Sequence, residues 1–159
     1  MKGDKKVIAL LNDALKNELT AVNQYWLHYR ILDNKGVHKL AKFERHESID
    51  EMKHADELSE RILFLDGLPN FQALGRLRIG ENVEEILKAD LELELEAVEQ
   101  LKGAIVHSET VRDFTSRDLF AKILSNEEDH VDHLEQQFEM IAAMGLPNYV
   151  QLQSEAADD

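Results

Sequence analysis

The chain has 159 residues, of which 31% are charged and 43% hydrophobic, and its formal net charge is −14. This length suits one domain spanning residues 1–159, and the acidic balance argues against nucleic acid or an anionic membrane as partner and favours cations. The absence of cysteine excludes disulfides and thiolate metal sites, and the apolar run Val7 to Leu11 is too short for a signal peptide or membrane span, so we expect a cytoplasmic protein.

The first two predicted helices form a pair. Apolar residues recur at three- and four-residue steps from about Lys5 to Leu32, which we call α1, and from about His38 to Leu65, which we call α2. The sequence Asp-Asn-Lys-Gly, ending at Gly36, marks the end of α1. About five residues join the two helices, and so short a connection predicts antiparallel neighbours.

The second half of the chain repeats this plan. Helix α3 begins near Asn82, a good N-cap, and α4 begins near Thr115 and Ser116. A short α5 covers roughly Asn148 to Gln153, and we expect residues 154–159 to be frayed.

The link between α2 and α3 decides the topology. It covers about sixteen residues, which reach roughly 50 Å when extended, whereas a helix of about 27 residues is roughly 40 Å long. The link can therefore run the length of the bundle and make α2 and α3 parallel. The predicted fold class is all-α, a four-helix bundle with one long crossover and a short fifth C-terminal helix.

One pattern of potential metal ligands occurs twice, at an offset of 76 residues. A lone glutamate is followed 33 residues later by Glu-x-x-His, and the two copies comprise Glu18, Glu51, His54, Glu94, Glu127 and His130. A three-residue step keeps each Glu and His on one helix face, within the apolar stripe. We therefore predict that all six side chains converge at the middle of the bundle.

Charge decides between a metal site and a chance pattern. A single Glu-x-x-His pair is more often a surface ion pair than a ligand set. Unpaired buried carboxylates, however, cost several kcal/mol each, and a whole domain is stable by only about 5–15 kcal/mol. Four of them in one core require compensation, which two divalent cations would supply. This ligand set suits iron or manganese, with zinc able to compete.

The symmetry of the repeat predicts how the two ions are shared. Glu18 and His54 would hold one ion, Glu94 and His130 the other, and Glu51 and Glu127 would bridge them.

Over essentially its full length, the chain resembles bacterioferritin. The resemblance extends from Met-Lys-Gly-Asp through residues 46–56, His-Glu-Ser-Ile-Asp-Glu-Met-Lys-His-Ala-Asp, to the short C-terminal helix. It implies a ferritin-like bundle and a homo-oligomeric 24-subunit shell built of two-fold dimers. It also implies a ferroxidase with two iron ions per subunit, which oxidises Fe(II) with dioxygen or hydrogen peroxide and stores the ferric product as mineral. A small ferredoxin is the reductant that the resemblance suggests for iron release.

Met52 lies between an inward glutamate and an outward lysine, which predicts a side chain pointing away from the bundle centre. Leu19, Trp26 and Ile49 also lie off the main apolar stripes and suggest a second apolar patch at a subunit interface. From the residues alone, an exposed methionine is common. The resemblance implies that haem b binds through Met52 of two subunits, which meet at a two-fold axis.

Several further residues have open roles. Tyr25 lies two turns beyond Glu18 and is a hydrogen-bond donor beside the metals, an electron source, or simply core. His46 and Asp50 match an inner-surface iron site in some relatives, although an exposed polar face explains them equally well. We expect three other histidines at the surface, namely His28, His38 and His107.

Other functions compete with iron storage. A redox enzyme for organic substrates generally needs a longer chain, and a rubrerythrin-like peroxidase needs a cysteine-ligated segment. The buried carboxylates oppose a structural bundle without metal. Peroxide detoxification is the closest competitor, because the same di-iron site can consume either oxidant.

Overall fold

The structure, a computed structural model, describes residues 1–155 and contains five α-helices and no strand in that range. The helices are α1 (Lys5–Asn34), α2 (His38–Phe64), α3 (Val83–Thr110), α4 (Phe114–Met144) and α5 (Leu146–Gln153). The all-α prediction is confirmed. Of the tail predicted to be frayed, residues 156–159 lie outside the described residues. None of the helices in the described range has the length and apolar composition that crossing a membrane requires.

Side-chain caps set the starts of the helices in the second half. Asn82 caps α3 as predicted, because its side chain accepts the Glu85 N–H at 3.0 Å. Helix α4 starts at Phe114, slightly earlier than predicted, because the cap is Asp113. The Asp113 carboxylate accepts the Ser116 N–H at 2.9 Å, so Ser116 already lies inside the helix.

Glycines with positive backbone φ angles mark two helix ends. Gly36 follows α1 with a φ of 83°, and Gly145 separates α4 from α5 with a φ of 82°. Helix α5 starts at Leu146, two residues before the predicted start at Asn148. The reason is Pro147, which fits the first turn of a helix, where its missing N–H has no partner to lose.

Contacts at the helix ends give the directions of the helices. The Gly3 N–H, just before α1, donates to the Leu65 carbonyl just after α2 at 3.1 Å, so α1 and α2 are antiparallel. Asp4, the cap of α1, lies 3.2 Å from Nε2 of His107 in the last turn of α3, so α1 and α3 are also antiparallel. Helices α2 and α3 are therefore parallel, as the length of the crossover predicted.

The crossover, residues 65–82, lies along α1 and is held there by polar side chains spaced by multiples of four. The pairs, each joining an α1 side chain to a backbone N–H, are Asn12 with Asn70 at 2.8 Å, Thr20 with Gly75 at 2.8 Å, Gln24 with Arg78 at 3.0 Å, and His28 with Gly80 at 3.0 Å. These contacts satisfy backbone groups of a segment that has no helix or strand.

Burial by the crossover overturns one histidine prediction. His28 is 0% exposed, so the prediction that it is a surface residue is wrong. His38 is exposed as predicted, whereas His107 is half-buried beside Asp4.

Two apolar clusters flank the polar middle of the bundle. One contains Leu11 and Leu58, and the other contains their repeat counterparts, Leu87 and Leu134. The repeat therefore places equivalent residues at opposite ends of the bundle. Leu19 belongs to the first cluster and is only 8% exposed, so its predicted place in an outer apolar patch is wrong.

Candidate metal centre

The structure brings the six repeated glutamate and histidine side chains together between the two apolar clusters. They form two overlapping groups, in each of which the potential ligand atoms lie within 4.8 Å of one another. The groups are Glu18, Glu51, His54 and Glu127, and Glu51, Glu94, Glu127 and His130. Glu51 and Glu127 belong to both groups, as the symmetry of the repeat predicted for bridging carboxylates.

The two shared carboxylates each offer one oxygen to each imidazole. His54 Nδ1 lies 3.3 Å from Glu51 Oε2 and 3.1 Å from Glu127 Oε1. His130 Nδ1 lies 3.1 Å from Glu51 Oε1 and 3.2 Å from Glu127 Oε2. Both oxygens of Glu127 are buried without a regular hydrogen bond. Buried polar atoms of this kind require a partner, and a cation between the groups would fit.

The surrounding charges change the pKa of each imidazole and each shared carboxyl group. Burial alone would lower the pKa of His54, but the facing carboxylates, Glu127 first, raise it to about 12. The pKa of His130 is raised for the same reason. Burial opposes ionisation of Glu51 and Glu127, yet close polar contacts with neighbouring groups, including both rings, lower their pKa values. The facing carboxylates therefore favour the protonated form of both rings, and the rings favour the ionised form of both shared carboxyl groups.

The two outer carboxyl groups behave in the opposite way. Burial, followed by repulsion from Glu51 and Glu127, raises the pKa values of Glu18 and Glu94 well above the ordinary range. The raised pKa values favour a proton on each of them, and with both imidazoles protonated the metal-free cluster would be neutral overall. Protons, and not cations alone, can therefore compensate the charge of the buried carboxylates.

The outward nitrogens of the two imidazoles have different partners. His54 Nε2 lies 2.9 Å from the Asn126 side-chain amide nitrogen. His130 Nε2 lies 2.6 Å from Glu47 Oε2, as an ion pair rather than a directional hydrogen bond. Sequence reasoning missed both partners, although each precedes a member of the repeated pattern by four residues, Glu47 before Glu51 and Asn126 before His130.

A cavity of about 380 Å³ connects these rings with charged side chains. At its wall Lys122 Nζ lies 2.7 Å from a Glu57 oxygen. Asp50 also lines this cavity and lies 3.5 Å from Lys53 Nζ, whereas His46 is exposed and outside its lining. Neither His46 nor Asp50 joins a potential ligand group within residues 1–155.

Tyr25 is buried and its phenol donates a hydrogen bond to Glu94 Oε1. Burial, with the neighbouring carboxyl groups of Glu94 and Asp90, raises the pKa of Tyr25 well above its ordinary value, so the phenol keeps its proton. Of the roles left open by the sequence, the structure supports a hydrogen-bond donor to a potential metal ligand.

A third polar cluster, His28, Glu44 and Asp90, lies about one to three helical turns from the centre, and the sequence analysis did not predict it. His28 Nδ1 lies 2.9 Å from Asp90 and His28 Nε2 accepts the Gly80 N–H, so neither ring nitrogen is available to a metal. Burial, followed by the charge of Asp90, raises the pKa of Glu44 well above its ordinary value. Burial therefore favours the neutral form of Glu44 beside Asp90. Glu44 lies seven residues before Glu51, and this spacing places both side chains on one face of α2. That spacing was the sequence signal for the third cluster.

The outer face of α2 carries Met52, which is 46% exposed as predicted. Trp26 on α1 is also exposed, with the Arg45 guanidinium 5.6 Å from its ring centroid, and Ile49 is half-buried. Three of the four residues predicted for a second apolar patch therefore reach the surface.

Comparison with known proteins agrees with this architecture. Residues 8–144 match the Ferritin-like domain family. The bacterioferritin of Brucella melitensis is 50% identical over 159 residues, which cover all of this chain and 99% of that protein. The bacterioferritin of Streptomyces coelicolor is 49% identical over 94% of this chain and 90% of its own length. Bacterioferritin BfrA of Mycobacterium tuberculosis is 48% identical over 94% of each chain. The chain therefore belongs to the ferritin family, as a member of the bacterioferritins.

Proposed function

We propose that this chain stores iron and that its buried cluster is a ferroxidase centre. The observation that carries the proposal is the pair of overlapping four-residue groups that share Glu51 and Glu127. Such a set of carboxylate and imidazole ligands suits iron, and membership of the bacterioferritins agrees with it.

Each of the two Fe(II) ions has its own ligands and shares two others. One ion would be held by Glu18 and His54, the other by Glu94 and His130, and Glu51 and Glu127 would serve both. Each ring would bind through Nδ1, the nitrogen that faces the carboxylates. Binding requires the two ring protons and the protons of Glu18 and Glu94 to leave, after which four carboxylates balance two divalent ions.

Two Fe(II) ions held together supply two electrons at once. Dioxygen takes up those electrons and two protons to become hydrogen peroxide, or peroxide takes up the same number to become two waters, while both ions become Fe(III). The phenol of Tyr25 fixes the orientation of Glu94 through its hydrogen bond. The ferric product then moves into the store.

Fe(II) oxidation in a ligand variant tests the centre. Anaerobic protein is mixed with Fe(II) and then with oxygenated buffer, and ferric absorbance is followed by stopped flow. Glu94→Ala and the closer mimic Glu94→Gln should both abolish the rapid phase, since each removes a ligand carboxylate. Glu92→Ala, on the exposed face of the same helix, is the matched control.

The outcomes separate oxidation from storage. A rapid phase in Glu94→Ala equal to that of the unaltered protein would contradict the assignment of the centre. A protein that oxidises Fe(II) but never retains more iron than the two ions of each centre, and elutes as a small dimer, would contradict storage in a shell.

The proposal also includes a 24-subunit shell of two-fold dimers that binds haem b between paired Met52 side chains. A thioether is an established haem ligand, and the exposure of Met52 leaves its sulfur accessible to a partner subunit. The bound haem would supply an electron-transfer group. A cytoplasmic location and a ferredoxin reductant stay predictions.

Haem binding has its own test. Met52→Leu should remove the Soret band from haem-reconstituted protein, while Met144→Leu, which alters a methionine packed in an apolar cluster, should retain it. A Soret band of unchanged position and intensity in Met52→Leu would contradict this part of the proposal.

A further inference from the structure

The two halves of the candidate metal centre differ in the side chains that contact Nε2 of their imidazoles. Behind His130 stands a carboxylate, with Glu47 Oε2 2.6 Å from Nε2. Behind His54 stands a neutral amide, with Asn126 2.9 Å from Nε2. Both contacts lie on the side of the ring opposite the ligand nitrogen Nδ1, so both partners can act on a metal only through the ring.

The internal repeat shows that this difference is built into the sequence. At the offset of 76, the counterpart of Glu47 is Ile123, which is buried in an apolar cluster. The counterpart of Asn126 is Asp50, which lies beside Lys53 instead of a ring. The two positions that the repeat assigns to His54 are therefore Ile123 and Asn126, and neither is a carboxylate, although the six ligands themselves repeat without exception.

The chemistry of a ligand imidazole makes this difference matter. A neutral imidazole that binds a metal through Nδ1 carries its proton on Nε2 and must donate it. A carboxylate that accepts this proton orients the ring and makes it a stronger ligand, and losing such a partner typically costs about 10–100-fold in metal affinity. Glu47 already holds a carboxylate oxygen 2.6 Å from this nitrogen as an ion pair, whereas Asn126 must turn its amide to present the weaker, neutral oxygen.

Other charges near the rings do not cancel the difference. The cavity beside them is lined by two acid–lysine pairs, Asp50 with Lys53 and Glu57 with Lys122, and by the exposed Asp129. On the inner side, the Tyr25 phenol donates to Glu94, which slightly weakens that carboxylate as a ligand. A neutral hydrogen bond of this kind is a smaller effect than a full negative charge in contact with the ring.

Resting on the ferroxidase centre proposed above, we infer that its two metal positions differ in affinity for divalent ions, and that Glu47 and Asn126 cause the difference. The position of Glu94 and His130 binds the first divalent ion, and the position of Glu18 and His54 binds the second, with about 10–100-fold lower affinity. Glu47 and Asn126 are positioning residues, which act on the metals through His130 and His54.

The test is an anaerobic titration of the metal-free protein with Co(II), followed by its visible absorption and by the near-ultraviolet tyrosine difference spectrum. Because Tyr25 bonds to Glu94, the tyrosine signal should change with the first equivalent, and Tyr25→Phe should remove it. Glu47→Gln should weaken the first step by about tenfold or more, and Asn126→Asp should tighten the second by a similar factor. Asp129→Asn, which removes a charge from the same cavity without touching a ring, should shift neither step.

The outcomes distinguish this inference from the proposed function. If fewer than two Co(II) ions bind per chain, the centre itself is refuted, and the inference with it. If two ions bind but the Tyr25 signal arrives with the second, or if neither Glu47→Gln nor Asn126→Asp shifts a step, the centre stands and the inequality is wrong. Circular dichroism of each variant confirms that the helices are intact.

Discussion

Metal loading should release about four protons for each pair of divalent ions that binds at pH 7. Two come from the imidazolium rings of His54 and His130, whose pKa values are raised by the facing carboxylates. Two more come from Glu18 and Glu94, whose pKa values are raised by burial and by neighbouring negative charge. If the same groups had ordinary pKa values, they would release only about half a proton in total at this pH.

Calorimetric titration with Zn(II) measures this number, because the apparent enthalpy depends linearly on the ionisation enthalpy of the buffer and the slope is the number of protons released. Zn(II) has no redox chemistry, so only binding contributes. In Glu94→Gln one of the four protons is absent, and that variant should release about one proton fewer for each pair bound. A slope near half a proton in the unaltered protein would refute the neutral, proton-compensated cluster.

Three further outcomes follow from the same structure. Without metal, the contribution of His54 to stability should be fully present below its unfolded pKa of about 6.5 and should decline as pH rises toward the folded pKa of about 12. The melting temperature, measured by circular dichroism, should therefore fall between pH 6.5 and 9. A melting temperature that does not change with pH would contradict the raised pKa. Gly80→Ala should destabilise the fold by about 1–3 kcal/mol in urea unfolding, because a Cβ there would collide with the backbone of Glu85 and Ile86. Unchanged stability would mean that the crossover can shift freely. Leu58→Ala should lower the free energy of unfolding by about 2–5 kcal/mol. Leu68→Ala, at a side chain that is 82% exposed, should change it by no more than about 0.5 kcal/mol. Equal losses in the two variants would contradict the assigned core.

Much of the fold was predictable because helices depend on nearby residues. Apolar periodicity placed α1 and α2 within two residues of their observed bounds, and Asn82 identified the start of α3. The length of the crossover predicted parallel α2 and α3. Local chemistry also explains the misplaced starts, since Asp113 is a better cap than Thr115 and Pro147 is favoured in a first turn.

Residues outside the repeated pattern were predicted less well. His28 and Leu19 both lie on α1, and each is buried by a part of the molecule that is distant in the sequence. For His28 that part is the crossover, whose Gly80 N–H it accepts. Periodicity describes one helix at a time, and a segment without regular structure leaves no periodic signal of the face that it will cover.

The six repeated glutamates and histidines could be identified without coordinates, since equal spacing on regular helices brings equivalent side chains to one level of a bundle. Their partners and their protons could not. The contacts of Glu47 and Asn126 with the rings, and the charge on each ring, depend on distances between helices that are far apart in the chain. Electrostatic interactions act through space, so the protonation of this cluster and the difference between its two halves emerge once the four long helices pack together.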